Sequence, residues 1–140
     1  PATISEESRN MAKKVLCPPN LSFMPKPEFP YSPGATNGHL VYTAGQVAWD
    51  ENAQVVGKGD VRKQTVQTLS NVISVLAEAG AKPKDVLKCN VYLVDIRHFQ
   101  IMNEEFRKVF PTDPPARTTV QALLADPDML VEIEAIALIE

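Results

Sequence analysis

Only two cysteines, Cys17 and Cys89, and two histidines, His39 and His98, occur in the 140 residues. Those shortages remove several chemistries together. No metal-ligand spacing is present, so no metal is expected, and the six glycines form neither a Walker loop, a dinucleotide fingerprint nor a G-x-S-x-G elbow. His39 sits beside a turn and His98 at a helix start. Contact with solvent is the simpler reading of both, and a histidine nuclease or a histidine-activated nucleophile is poorly supported. No secretory leader is apparent, so a reducing cytoplasm is expected and the two cysteines are not expected to pair. No apolar run reaches membrane-spanning length, and neither internal repeats nor low-complexity tracts occur. A net charge of -3 gives no electrostatic reason to expect a nucleic-acid or membrane partner.

Proline, by contrast, is plentiful and clustered. Six of the twelve prolines fall between Pro18 and Pro33, with Phe23, Phe29 and Tyr31 among them. Such a stretch is stiff and cannot donate to a central ladder, so it is expected over the surface or along a sheet edge. Phe23 and Phe29 read as hydrophobic plugs fastening it to the body; Tyr31 reads equally well as a plug or as a ligand contact. Pro1 to Asn10 is polar and expected to be loose.

The remainder alternates strand and helix. Lys13 to Cys17 is a candidate short strand. Asn37-Gly38 marks a turn, followed by a strand over His39–Trp49 in which Gly45 signals a bulge or a close approach. Asp50-Glu-Asn52 turns the chain, and Gln54–Val56 is expected to pair back. Asp60 is a natural N-cap for a helix to Ala79, ended by Gly80, with Val66, Leu69, Val72, Ile73 and Leu76 as its apolar stripe. Val86–Val94 follows as a strand with Leu87, Cys89, Val91 and Leu93 on its core face, Cys89 being inert packing. Asp95 opens a second helix, with Phe99, Met102, Phe106 and Phe110 as its stripe and Pro111 as its stop. Two more strands, Arg117–Leu124 and Met129–Ile139, complete one domain of α/β (α+β) class: a mixed β-sheet with two helices packed on one face. Strand, helix, strand implies a right-handed crossover and a parallel pair.

The candidate site residues are the ones that break this pattern. Pro114-Pro115 delivers Arg117 onto a strand, with Thr119 and Gln121 on its face; a guanidinium there needs a partner, and its planar fork matches a carboxylate. Asn103 interrupts an apolar helix stripe, either as a structural bond to a neighbouring loop or as a site residue. Glu132 and Glu134 share a strand face with Ile136 and Leu138, while Val131, Ile133, Ala135, Ala137 and Ile139 fill the other. A face half charged and half apolar suits burial against another subunit. An arginine, a glutamate, an amide and a tyrosine together suit binding a small carboxylate and steering a water.

Tyr31-Ser-Pro-Gly-Ala35, Leu40-Val-Tyr-Thr-Ala-Gly-Gln46, Gln64-Thr-Val-Gln-Thr-Leu-Ser-Asn-Val72, Val91-Tyr-Leu-Val-Asp95, Asn103-Glu-Glu-Phe106, Pro115-Ala-Arg-Thr-Thr-Val120 and Val131-Glu-Ile-Glu-Ala-Ile-Ala137 resemble the YjgF/YER057c/UK114 (RidA-like) family of reactive-intermediate deaminases. The similarity runs from about Tyr31 to the C-terminus. It implies a chorismate-mutase-like fold, a homotrimer with clefts between subunits, and hydrolysis of 2-enamine or 2-imine acids to 2-oxo acids and ammonia without metal or organic cofactor. By the same resemblance Arg117 is expected to bind the substrate carboxylate and Glu132 to position water, with Tyr31 and Asn103 in the cleft. Ala44 stands where the family often has serine, and Thr119 where it often has cysteine; with Gly45 they are expected to contact substrate and to bear on its range. The proline-rich segment, about 18–33, is longer than in compact members and hints at a specialised subgroup. Alternatives are a dedicated catabolic deaminase of the 2-aminomuconate or aminoacrylate type, a ribonuclease or translation inhibitor, and a non-catalytic 2-oxo acid binder.

Overall fold

Alternating apolar residues along the last strand, β6 (Val131–Leu138), set the centre of the molecule. Val131, Ile133, Ala135 and Ala137 are buried on one face, and Glu132, Glu134 and Ile136 are half-buried on the other. The computed structural model describes residues 12–140, so the expected loose start over Pro1–Asn10 lies outside the described residues. The other strands are β1 (Lys14–Leu16), β2 (Gly34–Thr36), β3 (Leu40–Thr43), β4 (Val86–Leu93) and β5 (Ala116–Gln121). They form one six-stranded sheet in the order β1-β2-β3-β6-β4-β5. Only β4 and β5 pair in parallel. Helices α1 (Val61–Glu78) and α2 (Phe99–Val109) supply Leu69, Val72, Val75, Leu76, Met102 and Phe106 to a single core against Val41, Cys89, Val91 and Ile133. This is the expected mixed sheet with two helices. No helix among the described residues is long and apolar enough to cross a membrane.

The helix termini follow from local chemistry. Asp60 accepts a hydrogen bond from the Lys63 N–H at 3.1 Å, a cap worth about 1 kcal/mol. Gly80 ends α1 at φ 77°, and the bonds from Ala81 N to Leu76 O and from Gly80 N to Ala77 O close its last carbonyls in a Schellman motif. The burial of α1 departs from the expected stripe. Val66 is 51% exposed, whereas Gln64, Thr65, Thr68 and Asn71 are fully buried. The reason is that α1 is covered by irregular chain as well as by the sheet, and its amides satisfy loop groups that have no ladder. Asn71 donates to Val47 O and Trp49 O, both at 2.9 Å. Gln64 donates to Gly57 O and Asp128 O and accepts from Leu130 N.

Three other expectations need correction. The strand expected over His39–Trp49 keeps its ladder only to Thr43, and the return of Gln54–Val56 reduces to a single bridge, Trp49 with Val55. The hairpin instead joins β2 to β3 through Asn37-Gly38, with Gly38 at φ 95°; β2 is too short to show a period. Leu87 is not in the core. Register slips between Val86 and Lys88, which turns Leu87 out at 54% exposure and puts Val86 in its place. The parallel partner expected for β4 across α1 is separated from it, because β6 lies between β3 and β4.

The proline-rich stretch runs along the β1 side of the molecule. Phe23, Phe29 and Trp49 stack edge to face, with centroids 5.3 to 5.6 Å apart, so both phenylalanines are plugs. Cys89 is buried and its thiol is pushed up to about 12 by burial, an inert position. Cys17 is exposed and unbonded. On the face away from the helices, Val15, Tyr42, Val120 and Leu138 are each 42 to 54% exposed.

The Gln64 clamp is open to measurement. Gln64→Ala leaves the Leu130 N–H and the Asp128 C=O without partners inside the protein, a cost of about 1–3 kcal/mol for each group. Urea unfolding at fixed protein concentration is expected to show a loss of about 2–4 kcal/mol, and a loss below about 0.5 kcal/mol would mean that water replaces the amide.

Candidate active site

Arg117 pairs in register with Cys89, whose side chain lies in the core, so its own side chain rises on the helix side of the sheet. Because β5 is the edge strand, that side chain meets α2. The guanidinium lies over the rings of Phe106, 4.7 Å from the centroid, and Phe99, at 5.4 Å. One of its terminal nitrogens donates to Asn103 Oδ1 at 2.6 Å, and the other approaches Met102 Sδ at 3.8 Å. Every partner among the described residues is neutral. The fork is therefore oriented by π faces and an amide while its charge goes uncompensated. Burial lowers its pKa from the ordinary arginine value, but an arginine stays protonated near neutrality. Asn103 thus ties α2 to the edge strand rather than to a neighbouring loop, and the same bond places it beside Arg117. A cavity of about 400 Å³ opens beside this pair, lined by Asn103, Phe106, Arg107, Phe110, Pro115 and Arg117 among others. Thr119, on the same strand face, buries a hydroxyl with no hydrogen-bond partner among the described residues.

Glu132 lies elsewhere. It pairs in register with Tyr92 on the face of the sheet turned away from the helices. The two glutamates differ in their surroundings. Glu134 accepts from Asn90 Nδ2 at 3.0 Å and from the Tyr92 hydroxyl at 2.6 Å, whereas no hydrogen bond to Glu132 occurs among the described residues. Burial, and secondarily the charge of Glu134, push the Glu132 carboxyl above the ordinary glutamate range. Its carboxylate lies so close to Gly45 that a Cβ at that position would overlap it. Gly45 belongs to a bulge. Tyr42 pairs with Ile136, but Gln46 pairs with Ile133, so one extra residue is accommodated around Thr43–Gly45, and Thr43 Oγ1 accepts the Ala135 N–H at 3.0 Å in compensation. The anticipated bulge is present, and what comes close to Gly45 is a side-chain carboxylate rather than a backbone.

Tyr31 joins this second group. Burial, followed by the Glu132 charge, raises its pKa, so the phenol remains a donor. Ala44 lines a separate cavity of about 400 Å³ with Tyr31, Ser32, Tyr42 and Thr43. Arg117, Asn103 and Thr119 thus form one half-site and Tyr31, Ala44, Gly45 and Glu132 another. A single chain presents them on opposite faces of its sheet and does not bring the arginine to the glutamate. Arg107 escaped notice in the sequence, although its spacing four residues after Asn103 puts both on one helix face. Among the described residues no cluster of three or more His, Cys, Asp or Glu side chains is arranged to hold a metal ion.

Residues 22–139 match the family model described as Endoribonuclease L-PSP. A RutC family protein of Pyrococcus abyssi is 39% identical over 127 residues, spanning 91% of this chain and 98% of its own. A crystal structure of YyfA, a conserved Rid family protein of Yersinia pestis, superposes with a TM-score of 0.81 at 31% identity, covering 91% of this chain and 100% of that one. Escherichia coli TdcF, crystallised with bound serine, does so with a TM-score of 0.77 at 27% identity over 91% of this chain and 99% of its own.

The contrast between the glutamates has a spectroscopic consequence. In ¹³C NMR the Glu132 carboxyl is expected to titrate above an ordinary glutamate. Glu134→Gln removes a neighbouring negative charge that disfavours ionisation, so the Glu132 midpoint moves down while staying elevated by burial. An unperturbed midpoint, or an upward move in the variant, contradicts the assignment.

Proposed function

We propose that this chain, which belongs to the YjgF/RidA-like (Rid, L-PSP) family, hydrolyses 2-imino and 2-enamino carboxylic acids to 2-oxo acids and ammonia in a cleft between copies of itself. The observation that carries this reading is a pair of complementary, uncompensated half-sites: a half-buried guanidinium held only by neutral groups, and a half-buried carboxylate without hydrogen-bond partners among the described residues. Each lacks what the other has. Their placement on opposite faces of one sheet calls for a head-to-tail contact, which closes as a ring when the rotation permits. A homotrimer with three such seams is the assembly we propose, and the exposed apolar side chains of the open sheet face are suited to be its interior. That TdcF holds an amino acid, serine, is in keeping with a small carboxylate ligand.

In this mechanism Arg117 holds the substrate carboxylate by two parallel N–H bonds and fixes the C=N carbon. Glu132 of the facing copy accepts a proton from a water as the water oxygen bonds to that carbon, and the C=N π pair moves to nitrogen. Glu132 then returns the proton to the nitrogen. The hydroxyl proton then passes through Glu132 to the same nitrogen, the C–N bond breaks with its electron pair leaving on ammonia, and the carbon–oxygen double bond forms. A carboxyl with a raised pKa serves well here, because it is a stronger base and a readier donor near neutrality. Tyr31, protonated, is a donor for the developing hydroxyl. Such imines hydrolyse unaided, so positioning and one proton relay suffice. No histidine lines either cavity, which leaves RNA cleavage without its usual acid and base.

Imines generated in situ by an amino-acid oxidase and trapped with semicarbazide provide the assay. Arg117→Ala is expected to abolish acceleration, and Arg117→Lys to keep a small remnant, since a point charge cannot reproduce the fork. Glu132→Gln should lower kcat at least 100-fold, on the scale of about 10²–10⁴ for general acid–base catalysis. Wild-type rates in Arg117→Ala would reject the mechanism.

A further inference from the structure

Four arginines lie among the described residues, and they divide into two kinds. Arg62 pairs with Glu104 and Glu105, and Arg97 with Asp95. Arg107 and Arg117 have no carboxylate partner among the described residues, and both line the same cavity of about 400 Å³. No acidic side chain among the described residues lines it. The acids that could have reached Arg107 along α2 are committed elsewhere, Glu104 to Arg62 and Glu105 to Arg62 and Lys108. In a chain whose net charge is -3, two unpaired guanidinium groups around one cavity make a local site for two negative charges. Its walls between them are Phe106, Phe110 and Pro115, which suit a short hydrocarbon spacer rather than a hydrated polar one.

We propose that Arg107 is a specificity residue, and that the preferred substrates are 2-imino acids carrying a second carboxylate at the end of the side chain, with Arg117 on the first carboxylate and Arg107 on the second. This rests on the role given to Arg117 above. The two guanidiniums differ in how they are held, Arg117 by contacts and Arg107 by none among the described residues. Arg117 is fixed between rings and an amide, and reads the invariant end of the substrate; Arg107, exposed on its helix, can follow a variable distance. The cavity lies on the helix side, away from the face that carries Glu132, so a side chain extending into it leaves the reacting carbon at the seam.

Binding of unreactive 2-oxo acids tests this without requiring turnover. Isothermal titration compares 2-oxopentanedioate with 2-oxopentanoate, which has the same carbon count and one charge fewer. The wild-type protein is expected to prefer the dicarboxylate on the order of tenfold, as one added charge-assisted contact allows. Arg107→Ala should bring the ratio near one, Arg107→Glu should invert it, and Arg117→Ala should weaken both ligands. Equal affinities in the wild type, a preference that survives Arg107→Ala, or markedly tighter binding of a phosphonate-ended analogue than of the dicarboxylate would each overturn the assignment. A preference that behaves as expected in a protein inactive on every imine would refute the deaminase reading and leave Arg117 and Arg107 standing as a dicarboxylate-binding pair.

Discussion

The structure turns on a charge that no carboxylate among the described residues neutralises. Arg117 is placed on an edge strand by Pro114-Pro115, stacked on two phenylalanines and bonded by one amide. A half-buried guanidinium ordinarily draws in a carboxylate, because desolvating a charge without compensation is costly. Here the nearby acids of α2 are held by Arg62 and Lys108 instead. The helix thus presents its carboxylates to one side and its aromatic and amide groups to the other, and the arginine is held rigid without being neutralised. Rigidity with residual charge is what an anion-binding group needs.

The glutamate half of the site obeys the same logic with the sign reversed. Glu134 is satisfied by Asn90 and Tyr92, and in turn its charge helps to keep Glu132 a reluctant acid. The bulge at Thr43–Gly45 makes room for the Glu132 carboxylate where a regular strand with a side chain would exclude it. That loop is itself held to α1 by Asn71, which bonds Val47 and Trp49. Buried polar side chains of the first helix therefore reach the site through the backbone they hold. The two halves use opposite faces of one sheet, and in the proposed assembly a second copy completes each one.

Much of this was legible in the sequence. Asp60 and Gly80 marked the ends of the first helix, the aromatic period marked the second although Asp95 caps only the short turn Ile96–His98 before it, the alternation in Val131–Leu138 marked the central strand, and Gly45 announced the bulge. The strand positions of Arg117 and Glu132 were legible too, although not that their side chains leave opposite faces: that depends on β4 lying between β5 and β6, a long-range pairing that no local pattern encodes. The burial of Gln64, Thr65, Thr68 and Asn71 was hidden for a related reason. A polar residue looks like a solvated one until the loop that it satisfies is folded over it. Leu87 misled because one slipped residue exchanges the faces of a strand. Arg107 was not legible, since an arginine near a helix C-terminus has an ordinary explanation in the helix dipole, and only the shared cavity singles it out.

The most direct measurement is complementation between two inactive variants. Arg117→Ala and Glu132→Gln, each inactive alone, are mixed in equal amounts, dissociated, reassembled and assayed for imine hydrolysis. If each cleft takes its arginine from one copy and its glutamate from the next, random assembly restores roughly a quarter of the sites to wild-type composition, and activity returns to about that level. A mixture as inactive as its parents would contradict the account, for it would mean that both groups must come from the same chain or that they do not act together.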